Sequence, residues 1–453
     1  MASIFMLMFF AFRDISNWFG KMTAIDEKYL DWWVLSLVCL VMIMCGFVVA
    51  KRIRDHHEMN LFFNILSVLL LSYSLYSLVI HIADFGIVSG GGPRTPKPPQ
   101  VVTNINDENL PDVYYIILDG YGSQDVLKKY YNLDNRDFID ELNKLGFYVA
   151  SESNTNYIQT SLSLCSSLNF DYIKSIRIEE RRIRKRSQLF NCIRDSQVRR
   201  TLSARGYQTV AFQTPYEFIS LSDADIFYES SRPSKFAGLV LDVTLARVLR
   251  RTETVKNRLY SLPYQEHRKI ILSIFEHLKD VPHMKGSFFV FAHVIAPHPP
   301  FVFDETGPIS EFSTPFTLGD ASDYVDSHSR QAYLEGYRGQ LLYINGLVLD
   351  TISAILDQSE NPPIIIIQGD HGPGAYLNWE SLQDSKLDER FGILNAYYFP
   401  RNMYDNLYPS ISPVNSFRIV LNSYFGEEQA LLADRHYFST WSDPLKFIEV
   451  DLK

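Results

Sequence analysis

Cysteine is scarce in this chain. There are four in 453 residues, at Cys39, Cys45, Cys165 and Cys192. Four scattered thiols exclude a disulfide scaffold and a zinc finger. Positive charge is not in excess either. The net charge is −9 and no nucleic-acid-binding motif is present, which excludes nucleic acid as a partner. Internal repeats are absent. Aromatic residues, by contrast, make up 14 % of the chain, which excludes a disordered polymer. The length suits one large soluble domain plus a smaller part.

The smaller part lies at the N-terminus. "WWVLSLVCLVMIMCGFVVA", Trp32 to Ala50, is 19 residues without a charge, and "LFFNILSVLLLSYSLYSLVIHIA", Leu61 to Ala83, is 23 residues without Asp, Glu, Lys or Arg. Each is long enough to cross roughly 30 Å of hydrocarbon. Core helices of that length keep a polar face, and these do not. Lys51, Arg52 and Arg54 follow the first run, which places the intervening loop in the cytoplasm and everything after Asp84 outside. The shorter run at 3–12 reads as a partial span; it lacks the basic start of a signal peptide. The expected plan is a membrane region over 1–85, a Gly- and Pro-rich linker over 86–111, and a soluble domain over 112–453.

Within that domain short apolar runs alternate with helical patterns. "VYYIIL" (113–118), "TVAFQT" (209–214), "SFFVFAHV" (287–294) and "PIIIIQ" (363–368) are continuously apolar rather than alternating, as parallel strands covered on both faces require. "RDFIDELNKLGF" carries Phe138, Ile139, Leu142 and Leu145 at helical spacing, with Gly146 as a C-cap. Residues 329–356 read as a long helix leading into the isoleucine strand. Alternation of strand and helix predicts an α/β sandwich with a mostly parallel sheet.

Such sheets carry their sites beyond the carboxyl ends of the strands. The first strand is followed by Asp119-Gly120. The isoleucine strand runs into Gly369-Asp370-His371-Gly372. The third contains His293 and leads to His298 in "APHPPF". Neighbours in a strand point to opposite faces, but the flanking glycines let Asp370 and His371 turn towards one point. Carboxylate and imidazole ligands suit Zn²⁺ or Mn²⁺. The bland alternatives are a capped turn for Asp370-His371 and a satisfied core histidine for His293. "NTNYIQTSLSLCSSLN", 154–169, is rich in hydroxyls. Its second half, from Thr160, opens a helix whose N-terminus suits a phosphate. A hydroxyl held by a divalent metal becomes a nucleophile. A Ser/Thr N-cap and a polar helix face are the alternative there.

These residues, in this order, resemble the alkaline phosphatase/sulfatase superfamily. The branch they are most similar to is the membrane-anchored lipoteichoic acid synthases and lipid A phosphoethanolamine transferases. The resemblance covers residues 112 to about 450. It implies an α/β alkaline phosphatase-like sandwich preceded by N-terminal transmembrane helices. It also implies one divalent metal, Zn or Mn with Mg or Ca as further fits, held by Asp119, Thr160, Asp370 and His371. Thr160 is the implied nucleophile. His293 and His298 match the branch's histidine-rich loop, where substrate phosphate or leaving group is met, and Ser163 follows Thr160 at the spacing of a substrate-contacting serine. Sulfatases need Cys or Ser in C/S-x-P-S-R for maturation to formylglycine; Thr160-Ser161-Leu162-Ser163-Leu164 lacks it, which argues against a sulfatase. Asp119 has no second acid beside it, and no histidine occurs between His371 and His436, so one metal is expected rather than two.

The expected activity is a multi-pass membrane phosphotransferase, its catalytic domain periplasmic or extracellular. It acts on a phosphodiester of an envelope lipid or glycan through a phospho-threonine. A phosphate- or sulfate-ester hydrolase and a non-catalytic envelope scaffold are the alternatives. Two features complete the reading. "RRIRKR" within 177–200 reads as a solvated helix face, with contact to anionic lipid headgroups as the alternative. Cys165 and Cys192 can pair outside the cytoplasm, which would brace the Thr160 segment.

Overall fold

The computed structural model of the chain describes residues 110–178, 181–216, 219–230, 253–310 and 316–452, together with isolated positions elsewhere. The expected spans 3–12, 32–50 and 61–83 and nearly all of the linker 86–111 lie outside the described residues, isolated positions in 32–50 aside. The chain divides into two compact units, and the fold described below is that of the second, residues 96–231, 264–310 and 315–453.

The strands in chain order are β1 Val113–Leu118, β2 Tyr148–Val149, β3 Arg177–Ile178, β4 Arg181–Arg182, β5 Gln208–Phe212, β6 Ile226–Tyr228, β7 Phe288–Val294, β8 Phe303–Asp304, β9 Gly307–Pro308, β10 Ile364–Gln368, β11 Asn395–Tyr398, β12 His436–Phe438 and β13 Ile448–Val450. Seven of them form one sheet in the order β2-β11-β10-β1-β7-β5-β6. The five from β10 to β6 are parallel, and β11 and β2 complete the edge antiparallel. The four apolar runs are strands, each within a residue or two of its expected bounds. β1, β7 and β10 are buried along their whole length, because helices cover both faces. Full burial of each isoleucine in β10 stabilises the fold by about 1.5–3 kcal/mol. Register then sets the site. Ile117 pairs with both Gln368 and His293, so β1, β10 and β7 end in one row.

The helix Thr160–Leu168 packs under this row. Its Leu162, Leu164, Cys165 and Leu168 join Tyr115, Ile117 and Ile366 in one core cluster, which Phe417 closes by meeting the Tyr115 ring edge-on at 5.0 Å. A disulfide between Cys165 and Cys192, with Cα atoms 5.5 Å apart, ties it to the helix Arg186–Arg194. The long helix observed is Arg330–Gln358, capped by Ser329, whose hydroxyl accepts from the Ala332 N–H. It is the one helix among the described residues long and apolar enough to cross a membrane, yet Tyr337, Leu341, Ile344, Val348 and Ile352 bury its face in the domain. Gly146 follows the helix Arg136–Lys144 and its C-cap Leu145, at a φ of 94° that favours glycine. One expectation needs correction. "RRIRKR" is no helix face: Arg181 and Arg182 form β4 of the β3–β4 hairpin, and the helix begins only at Arg186.

Asp112 starts β1. Its carboxylate accepts from the Phe288 N–H at 2.7 Å, and burial raises its pKa to about 7. Between pH 4 and 7 the folded chain holds a proton there that the unfolded chain has lost. This group's contribution is therefore present below pH 4 and lost as pH rises through 7. Asp112→Asn keeps the acceptor and removes the titration. We expect equal melting temperatures for variant and parent at pH 4, and a variant more stable by about 2–4 kcal/mol at pH 8. Parallel melting curves across that range would contradict the assignment.

Candidate metal centre and active site

Asp119 leaves β1 under tight backbone control. Its N–H donates to the Val294 carbonyl (2.9 Å), and its own carbonyl accepts from the His298 N–H (3.1 Å). Gly120 follows at a φ of 74°, and its N–H donates to Oδ1 of Asp370 (3.0 Å). Tyr337 fixes this turn from behind by donating to the Gly120 carbonyl (2.9 Å). The glycines around Asp370-His371 act differently from expectation. Neither Gly369 nor Gly372 has a positive φ. They are needed for close approach: an added Cβ would lie 2.5 Å from the Tyr121 carbonyl oxygen at Gly369 and 2.1 Å from that of Glu389 at Gly372.

The result is a buried triad. Asp119, Asp370 and His371 each offer one donor atom, all within 4.8 Å of one another. His371 donates from Nδ1 to the Gly372 carbonyl (2.9 Å), so its Nε2 lone pair faces inward. Nε2 lies 3.3 Å from Asp370 Oδ2 and 3.7 Å from Asp119 Oδ1. The Thr160 hydroxyl is 3.1 Å from the same nitrogen. Thr160 is the first residue of its helix, after Gln159 at the N-cap, and it alone of the four is partly open to solvent. Asp119 Oδ1 and Asp370 Oδ2 are buried and accept no hydrogen bond. Two orphaned anionic oxygens beside an inward lone pair and a hydroxyl are a poor packing solution on their own. They fit a divalent cation with N/O ligands, Zn²⁺ or Mn²⁺ among them.

The histidines divide. His293 is buried in β7 and sets its Nε2 3.1 Å from Asp119 Oδ2, behind the triad. His298, in the loop after β7, points Nδ1 to the Pro299 carbonyl (2.5 Å) and Nε2 towards Asp320 (3.5 Å) and the Tyr216 hydroxyl (3.5 Å). Burial would lower the His298 pKa, but Asp119 and Asp320 raise it to about 9. Burial and the Arg390 charge hold His371 down at about 4. Ser163 is buried. Its hydroxyl meets Thr155 Oγ1 (3.2 Å), which donates to the Asp370 carbonyl (2.7 Å), so Ser163 lies behind the ligands and not on the rim.

Three residues of the site escaped the sequence reading. Arg390, in the helix Leu387–Phe391, is almost wholly buried. It donates to the carbonyls of Ile158 (3.0 Å) and Gly372 (3.2 Å), pairs with Asp320 (3.2 Å), and brings Nη2 to 3.2 Å from His371 Nε2. Burial works against an Asp320 carboxylate, but Arg390 and His298 pull its pKa well below the usual range. Tyr216 completes this side. A fixed cation beside the triad can hold an anionic substrate oxygen.

Residues 111–412 match the family model described as Sulfatase. No curated protein sequence matches the chain. Among solved structures the chain is similar to the C-terminal periplasmic domain of EptC from Escherichia coli, at 12 % identity and a TM-score of 0.46 over 76 % of this chain and 93 % of that one. It is also similar to the integral membrane lipooligosaccharide phosphoethanolamine transferase A of Neisseria meningitidis (13 %, TM-score 0.42, 87 % and 70 %) and to the putative sulfatase yidJ of Bacteroides fragilis (12 %, 0.41, 77 % and 85 %). The match to the family model covers well over half of the sequence, and the chain belongs to the Sulfatase family.

Proposed function

We propose that the protein is a membrane-anchored, metal-dependent phosphotransferase acting on a phosphodiester of an envelope lipid or glycan. The observation that carries this is Thr160, whose hydroxyl stands on the open side of three buried metal donors. Asp119, Asp370, His371 and Thr160 would hold the cation, which when bound lowers the pKa of a ligated hydroxyl and offsets charge on a phosphoryl oxygen. Thr160 Oγ, its proton released to solvent on the open side of the site, forms a bond to phosphorus, and the bond from phosphorus to the leaving alcohol's oxygen breaks. His298 gives its proton to that oxygen. The oxygen of an acceptor hydroxyl, or of water, then bonds to phosphorus and gives its proton to His298, the bond from phosphorus to Thr160 Oγ breaks, and Thr160 regains its proton from solvent. Arg390 binds a non-bridging oxygen throughout, held in aim by Asp320. His293 and Ser163 act from behind, on Asp119 and on the Thr155–Asp370 contact. The disulfide supports an extracytoplasmic location for the domain.

Trapping the intermediate tests the mechanism. Full-length protein loaded with zinc or manganese, incubated with membrane phospholipid and acid-quenched, should yield a Thr160 peptide heavier by one phosphoryl-headgroup unit. The mass names the transferred group. An unmodified Thr160 peptide under turnover would refute the covalent route.

A further inference from the structure

The segment 177–186, "RIEERRIRKR", holds six basic and two acidic residues in a chain of net charge −9. Within it Arg177–Ile178 pairs antiparallel with Arg181–Arg182, and residues 183–185 lead into the helix Arg186–Arg194. Arg177, Arg182, Arg184 and Lys185 are exposed. Further along the run, Arg199 and Arg200 have Asp223 and Asp195 as partners. The four exposed hairpin cations pair with no carboxylate among the described residues.

Beside them stands an exposed tryptophan. After Asp112 the sequence contains two tryptophans, Trp379 and Trp441, and they meet, with ring centroids 5.4 Å apart. Trp441 is half exposed. The Arg186 guanidinium lies 4.0 Å from its ring centroid and donates to its carbonyl (2.9 Å). Trp379 in turn lies under the Arg390 guanidinium at 5.0 Å. One continuous set of contacts thus runs from Arg186, at the start of the helix that follows the hairpin, through the tryptophan pair to Arg390 beside the candidate metal donors.

A segment of net positive charge next to a half-exposed indole combines the two features that favour the interface of an anionic bilayer: charge attracts the headgroups, and the amphipathic ring settles among them. A glycan would also stack on an indole, but a neutral sugar gives no reason for six basic residues against two acidic ones. We infer that Arg177, Arg182, Arg184 and Lys185, with Trp441, form a docking surface for an anionic lipid bilayer, and that this surface presents the candidate metal site to lipid-embedded substrate. The inference rests on the membrane-anchored reading above.

The test uses the full chain reconstituted in nanodiscs of phosphatidylcholine alone or with about 30 mol % phosphatidylglycerol. Amide deuterium exchange over 177–186 should slow about tenfold in the anionic discs. The protection should vanish in about 0.5 M NaCl and in the combined variant Arg182→Gln/Arg184→Gln/Lys185→Gln. The same variant should lose activity on a disc-embedded phosphodiester by about tenfold and turn over soluble bis(p-nitrophenyl) phosphate at the parent rate. Equal exchange in both discs, or protection produced by soluble oligosaccharide and not by lipid charge, overturns the surface as a lipid site. Charge-dependent protection in a protein inert towards the soluble diester leaves the docking surface standing and removes the phosphotransferase reading.

Discussion

Thr160→Ala should lower turnover of a chromogenic phosphodiester by several orders of magnitude without unfolding the domain. The hydroxyl is the candidate nucleophile and also a metal donor, and covalent catalysis does not survive loss of its nucleophile. The fold should survive because Thr160 is partly open to solvent and caps nothing: Gln159 is the N-cap, and the helix is held from below by Leu162, Leu164 and the disulfide. Alanine is also a better helix former than threonine. Ser161→Ala provides the contrast. Ser161 is one residue on and buried, and the inward nitrogen of His371 is reached by Thr160 instead. Its loss should leave most of the activity. Thr160→Ser should retain part of the rate, since it keeps an oxygen at the same branch point. A dead Ser161→Ala beside an active Thr160→Ala would move the nucleophile.

The candidate ligands were legible in the sequence for a physical reason. A parallel sheet buries its central strands on both faces, so β1, β7 and β10 are unbroken apolar runs, and a carboxylate or imidazole at their ends is conspicuous against them. Asp119, Asp370, His371 and the His293–His298 segment all stand out in this way. Arg390 does not. It lies in "KLDERFG", a short stretch that reads as an ordinary charged helix, and its partner Asp320 is 70 positions away. Nothing periodic marks either residue; only the packing of Gly372 against the Glu389 and Arg390 backbone brings the guanidinium to the candidate metal donors. The glycines of GDHG show the same limit. Their positions were visible, but steric approach and not turn freedom is what requires them. The basic run failed as a helix for a related reason. Charge alone carries no period, and a two-residue strand pair is too short to leave one.

Metal binding itself can be separated from turnover. The parent should bind one equivalent of zinc or manganese, and saturating metal should raise its stability by about 2.7 kcal/mol at a hundredfold excess over Kd, read as a rise in melting temperature. Asp370→Asn is the sharp variant. An asparagine carbonyl can still accept from the Gly120 N–H, as Oδ1 of Asp370 does, so the turn after β1 keeps its tie. The other oxygen, buried and without a partner, becomes an amide NH₂ that repels a cation. Without metal the variant should be at least as stable as the parent, because two facing carboxylates have become one. With metal it should gain nothing. His371→Ala should likewise bind no metal, but with some loss of stability, since it also frees Thr160 and Arg390 from their shared partner. The two variants therefore differ without metal and agree with it. A full equivalent of metal in Asp370→Asn by elemental analysis, with the melting temperature rising as in the parent, would remove Asp370 from the ligand set and leave its unpartnered oxygen without a function.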